Sequence, residues 1–186
     1  MEDDSLQKEL EYQFEWFHRN PELSYEEYET TKRIKTLLQE HDIEVLDLPL
    51  KTGLVAVIRG GYPGKVIALR SDIDALPVNE ETTLSYKSEI EGKMHACGHD
   101  AHTAILLGSC KVLYDMRDEL DVNVKFLFQP AEETVGGAKL LIKDGCMENP
   151  KVDYTIGLHV MPHINTGMVE LQYDSMNAST DTVSIT

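Results

Sequence analysis

The sequence predicts an α/β fold, with a mixed, mostly parallel sheet flanked by helices. Three observations point to it. From residue 52 onward, short apolar runs alternate with segments of helical periodicity. The run VNVKFLFQP (122–130) turns wholly apolar at Phe126 to Phe128, as a strand covered on both faces does. Carboxylates and imidazoles follow directly after these apolar runs, where open α/β sheets hold their sites.

The elements follow in order. Residues 4–19 carry Leu6, Leu10, Phe14 and Phe17 on one helical face, and Asn20-Pro21 stops the helix. Ser24 followed by Glu27 reads as a capping box that opens a second helix, which runs to about residue 41. TGLVAVIRG (52–60) and KVIALRSD (65–72) read as strands, and the Gly-rich turn between them suggests a hairpin. Residues 79–94 are polar and read as a loop. A helix with Ile105, Leu106, Leu113 and Tyr114 on its core side spans about 100–117. Strand 122–130 precedes a short helix, 136–144, that Gly145 ends. YTIGLHV (154–160), GMVELQY (167–173) and TDTVSIT (180–186) read as further strands.

Composition excludes some functions. The formal net charge of -16 argues against binding nucleic acid or an anionic membrane through bulk charge. No run approaches transmembrane length, and the acidic N-terminus lacks the apolar core of a secretory signal. Three widely spaced cysteines do not suggest a disulfide framework. A reducing, cytoplasmic setting is the default expectation.

The chemistry gathers at one rim. Strand 65–70 runs out into Ser71-Asp72-Ile73-Asp74, strand 122–128 into Gln129-Pro130-Ala131-Glu132-Glu133, and strand 154–158 into His159. HACGHDAHTA (95–104) leads into a helix at the same edge, and Gly98 lets the chain bend between Cys97 and His99. A thiolate, imidazoles and carboxylates together suit a borderline divalent ion such as zinc, manganese, cobalt or nickel. Of the adjacent Glu132 and Glu133, one can bind metal while the other stays free as a base, the arrangement for hydrolysis. Two other readings stay open. Cys97 alone is a possible nucleophile with His99 or His102, which leaves Glu132, Glu133 and His159 without a task. A metal-binding or regulatory protein without catalysis is the other. His18, His41 and His95 read as structural or supporting.

RSDIDALP (70–77), MHACGHDAHTA (94–104), QPAEE with GGA (129–138), GLHV (157–160) and FHRNPELSYEEYETT (17–31) together resemble the amidohydrolase branch of the aminoacylase and carboxypeptidase family of co-catalytic metallopeptidases. The resemblance implies a zinc-exopeptidase-like catalytic domain, here incomplete. Residues 1–178 would be its N-terminal part, and 179–186 the start of an inserted lid or dimerisation domain. It implies hydrolysis of the amide bond of N-acyl amino acids or related small acyl amides, with two divalent ions, manganese or zinc foremost. Cys97, His99, Glu133 and His159 would be metal ligands, with Cys97 the bridge, and Glu132 the general base. Asp72 matches the aspartate that orients a ligand histidine, a role Asp74 is equally placed to share. Arg70 stands where the wider family has a metal-binding histidine. Asp100 and His102 would support the ligands. A last histidine ligand, and a homodimer contact through the inserted domain, would lie outside this chain.

Overall fold

The computed structural model describes residues 4–171 apart from 63 and 135. Helices α1 (Asp4–Arg19) and α2 (Tyr28–Glu40) come first, then β1 (Glu44–Val45), β2 (Leu54–Ile58) and β3 (Val66–Asp72). Helix α3 (His99–Asp115), a short 3-10 turn (Arg117–Glu119), β4 (Asn123–Gln129), α4 (Gly137–Lys143) and β5 (Tyr154–Gly157) follow. The five strands form one sheet in the order β1-β2-β4-β3-β5.

The sheet is mixed, as expected, but only half parallel. β1 with β2 and β2 with β4 are antiparallel, while β3 pairs in parallel with both β4 and β5. The hairpin expected between residues 52–60 and 65–72 does not form, because β4 lies between those strands. β4 is the central strand, and every residue after Asn123 is buried. Its alternation divides the core. Val124, Phe126 and Phe128 join Leu54, Ala56, Ile58 and the inner faces of α1, α2 and α3. On the opposite face Leu127, Val55 and Ala68 pack with Leu141 of α4 and Cys146. Helices therefore cover both faces, three on one and one on the other.

Helix α2 buries Thr30, Ile34, Leu37 and Leu38, a spacing of four, three and one that marks a single helical stripe. The expected capping box is absent. Glu27 holds the N-cap position without a side-chain capping bond. Glu22 instead accepts the amide hydrogens of Glu29 and Thr30, at 3.2 and 2.8 Å. Ser24 and Glu27 are directed elsewhere, toward the rim of the sheet. Strand 154–160 is shorter than expected and lies at the sheet edge, and residues 167–171 form no strand. The expected strand over 180–186 and the end of 167–173 lie outside the described residues. No described helix is long and apolar enough to cross a membrane.

Because β3, β4 and β5 run in parallel, their carboxyl ends meet at one edge. Asp72 and Asp74, then Glu132 and Glu133, then His159 leave the sheet side by side there.

Candidate metal centre

The HACGHD turn supplies the first donors. Gly98 has φ +82°, a left-handed conformation that glycine adopts without strain, and α3 begins at the next residue. The bend leaves Cys97 in the turn and makes His99 the first helical residue. One helical turn on, His102 lies beside it, with ring centroids 5.3 Å apart. Thr103 ties this turn to β3 by donating from Oγ1 to the carbonyls of His99 (2.8 Å) and Asp72 (3.2 Å).

Three groups of donor atoms converge, each with all its atoms within 4.8 Å of one another. They are Cys97, His99 and His159; Asp72, His99 and His102; and His99, Glu132 and Glu133. His99 is common to all three. Cys97 Sγ lies 3.4 Å from His159 Nε2. Glu133 Oε1 and Glu132 Oε2 lie 3.8 and 3.9 Å from His99 Nε2. The structure thus brings together every residue that sequence reasoning singled out as ligand or base.

The hydrogen bonds set the histidine tautomers. His99 Nδ1 is 2.9 Å from the Asp74 carbonyl and 3.3 Å from its carboxylate, both acceptors, so Nδ1 carries the hydrogen. Its Nε2 lone pair then faces the cluster, buried and without a hydrogen-bond partner. His159 follows the same logic, with Nδ1 donating to the Val160 carbonyl at 2.7 Å and Nε2 turned toward Cys97. This is how a protein orients imidazole toward a metal. His102 is arranged in reverse. Its Nε2 accepts the Val160 amide hydrogen at 2.9 Å, fastening the chain beside His159.

Electrostatics also favour a cation. Burial and the nearby Glu133, Glu132 and Asp72 push the Cys97 thiol up to about 12. Burial raises Asp72 to about 6, opposed by Arg70 and His99. Buried His99 Nε2 and Glu133 Oε1 both lack hydrogen-bond partners, whereas Asp72 Oδ1 is ion-paired with Arg70. Unpaired buried donors and acceptors are costly, and a divalent ion would satisfy them together. The residues present fit a metal. Burial first, and then the surrounding carboxylates, favour the protonated thiol, which disfavours a thiol nucleophile.

Asp72 and Asp74, which the sequence left unseparated, are distinct here. Asp74 makes the bond to His99 Nδ1. Asp72 instead faces the donor side, its Oδ2 3.9 Å from His99 Nε2 and 4.0 Å from His102 Nδ1. Asp74 Oδ2 also accepts from Ser24 Oγ (2.7 Å) and the Glu133 amide (3.0 Å), and the His99 bond first, with these two, overcomes the effect of burial and holds Asp74 low.

His18 was read from sequence as structural or supporting. It is buried between two carboxylates, with Nδ1 2.6 Å from Asp100 and Nε2 3.2 Å from Glu80. It thus links α1, the loop after β3 and the first turn of α3. His95 is buried with neither ring nitrogen hydrogen-bonded, and burial lowers it to about 4. His163 is exposed and lies 3.5 Å from Glu170. Glu27 was seen only as a cap, and no local signal marks its longer reach.

The chain is 45% identical over 169 residues to the N-acetylcysteine deacetylase of Bacillus subtilis, covering 90% of this chain and 44% of that protein. It is 41% identical over 165 residues to an N-acyl-L-amino acid amidohydrolase of Geobacillus stearothermophilus, covering 88% and 44%. Among solved structures, a dinuclear metal-binding peptidase of the M20 family from Bacillus subtilis superposes with a TM-score of 0.84 at 45% identity. That match covers 87% of this chain and 45% of the other. The chain thus spans less than half the length of these relatives. Residues 68–180, which hold all the converging donors, match the model of peptidase family M20/M25/M40, and the chain belongs to that family.

Proposed function

We propose that this chain forms the metal-binding part of an amidohydrolase that cleaves the linear amide bond of N-acyl amino acids or related small acyl amides. One observation carries the reading. Glu132 and Glu133 leave β4 as neighbours but differ in setting. The Glu133 side chain is 18% exposed with Oε1 buried against His99, while that of Glu132 is 41% exposed at the mouth of the same cluster. The contrast supports Glu133 as the ligand and Glu132 as the group that meets substrate and solvent.

Cys97, His99, Glu133 and His159 would hold two divalent ions, manganese or zinc. Asp72 faces the same donors and would add negative charge there. The dinuclear metal binding of the Bacillus subtilis structure supports two ions. Bound ions supply Lewis acidity, which acidifies water and polarises an acyl carbonyl. Glu132 takes a proton from the attacking water and returns it to the departing amine nitrogen. A cavity of about 420 Å³ beside Cys97, walled in part by Phe14, Val160, Met161 and Pro162, offers an acyl group apolar contact. The names of the two relatives, a deacetylase and an N-acyl-amino-acid amidohydrolase, support the substrate class.

Residues 1–178 are read as the N-terminal part of the catalytic domain and 179–186 as the start of an inserted domain through which copies would pair. The partner is a small molecule in the cytoplasm, not a nucleic acid or a membrane. Replacing Glu132 by glutamine in the complete enzyme tests the mechanism. Turnover of N-acetyl amino acids is expected to fall by roughly 10²–10⁴-fold with metal content unchanged. Retained turnover would remove Glu132 from the role.

A further inference from the structure

The general base reaches its place on a strained turn, and a buried carboxylate from a distant segment grips that turn. After β4 the chain bends through Pro130 and Ala131 to deliver Glu132. Ala131 is fully buried and has φ +52°, a left-handed conformation that an alanine rarely adopts. Such a residue persists only where its surroundings fix it, and such residues gather at functional sites. Here the surroundings are identifiable. The Ala131 amide donates to Glu27 Oε1 at 2.8 Å. Gly137 closes the other side, where an added Cβ would fall 1.9 Å from the Pro130 oxygen and 2.7 Å from the Ala131 oxygen.

Glu27 is itself 0% exposed, and its Oε2 has no hydrogen-bond partner. This carboxylate directs its bonds to Thr52 and main-chain amides, Ala131 among them, instead of to a side-chain cap, and burial pushes its pKa up. Tyr25, two residues earlier, also has a positive φ, +67°, so the segment is bent to bring Glu27 inward. Glu133 is fastened independently, through its own amide to Asp74. The Glu132 amide is also directed at Asp74, so loosening the Ala131 contact shifts the turn that leads into Glu132 while the ligand next to it keeps its tether.

We infer that Glu27 is a positioning residue for the reaction, holding the Pro130-Ala131 turn so that Glu132 points at the reacting water. The inference rests on the base role proposed for Glu132. It requires an acceptor oxygen at Glu27, not a charge.

The test measures kcat, KM, bound metal and thermal stability of the complete enzyme with Glu27→Leu, Glu27→Asp, Glu27→Gln and Glu132→Gln. Leucine removes the acceptor, and aspartate withdraws it by one methylene. Both are expected to lower kcat by about 10²-fold, the cost of misplacing a catalytic group by about 1 Å, with KM and metal stoichiometry near wild type. Glutamine keeps an oxygen for the Ala131 amide and is expected to restore kcat to within a few-fold. If Glu27→Leu does not fold, the aspartate and glutamine variants decide between geometry and charge. Wild-type kcat in Glu27→Asp, glutamine as damaging as leucine, or metal lost together with turnover would each overturn the inference. An inactive Glu132→Gln beside fully active Glu27 variants would sink the positioning role alone, whereas an active Glu132→Gln would sink the base role and this inference with it.

Discussion

Asp74 accepts the Nδ1 hydrogen of His99 twice over, through its main-chain oxygen at 2.9 Å and its carboxylate at 3.3 Å. The same carboxylate takes the Glu133 amide and the Ser24 hydroxyl on its other oxygen. One side chain thus fixes the orientation of an imidazole, the start of a carboxylate-bearing loop and the segment before α2.

Replacing Asp74 by alanine should weaken metal binding by roughly 10–100-fold, the usual cost of removing a group that orients a ligand. The main-chain acceptor remains, so binding should be weakened rather than abolished. Calorimetric titration of the metal-free protein with zinc or manganese measures it. Unchanged affinity would show that Asp74 serves only the fold.

Cys97 should be slow to alkylate in the metal-free protein, although it is partly exposed. With the thiol at about 12, its thiolate fraction at pH 8 is at least ~10²-fold below that of a free cysteine. Glu133→Gln removes the nearest of the charges that raise it and should speed the reaction. Iodoacetamide labelling followed by mass spectrometry, with buried Cys110 and Cys146 as internal references, gives the rates. A wild-type rate matching free cysteine would contradict the carboxylate environment.

His18 should make stability pH-dependent. Its bond to Asp100 outweighs burial and, with Glu80, raises its pKa above 6.5, so the folded state holds the proton more tightly than the unfolded state. The stabilisation is therefore complete below pH 6.5 and is lost as pH rises through the folded value. Glu80 works in the opposite sense. Bonds from the Ser88 amide, Thr82 and His18 overcome burial and lower it, so its contribution is present above pH 4.5 and lost as pH falls further. The stability gap between the metal-free wild type and His18→Gln should be widest between about pH 4.5 and 6.5 and narrow toward pH 9. Urea unfolding across that range reads it, and a gap independent of pH would mean that His18 contributes packing alone.

The rim of the sheet was legible because it depends on local order. An apolar run followed by Asp72, by Glu132-Glu133 or by His159 marks a strand and its carboxyl end without knowledge of the partners. What escaped were relationships across the chain. The glycine-rich turn after residue 59 matches a hairpin, but β4 takes the place between the two strands, pairing antiparallel with β2 and parallel with β3. Ser24 and Glu27 match a capping box in spacing, yet Asp74 and Ala131 compete for those side chains and Glu22 caps the helix instead. Asp72 and Asp74 look equivalent in RSDIDALP, since alternation places both on the same side of an extended chain. They separate only because β3 ends at Asp72, so Asp74 already lies in the loop beneath His99.

The insertion of β4 between β2 and β3 also sets the order in which the molecule can mature. β3 has no neighbour to hold it until residues far downstream have been made and threaded alongside it. The donors that cluster on His99 come from four stretches of chain, so an unfolded chain could offer only the short-range pairs within one stretch, such as Cys97 with His99. Closing such long loops is slow, and the metal must wait for it. A metal bound at this cluster would thus report that the sheet is complete, because a chain stalled before β4 docks lacks the Glu132 and Glu133 donors at the site.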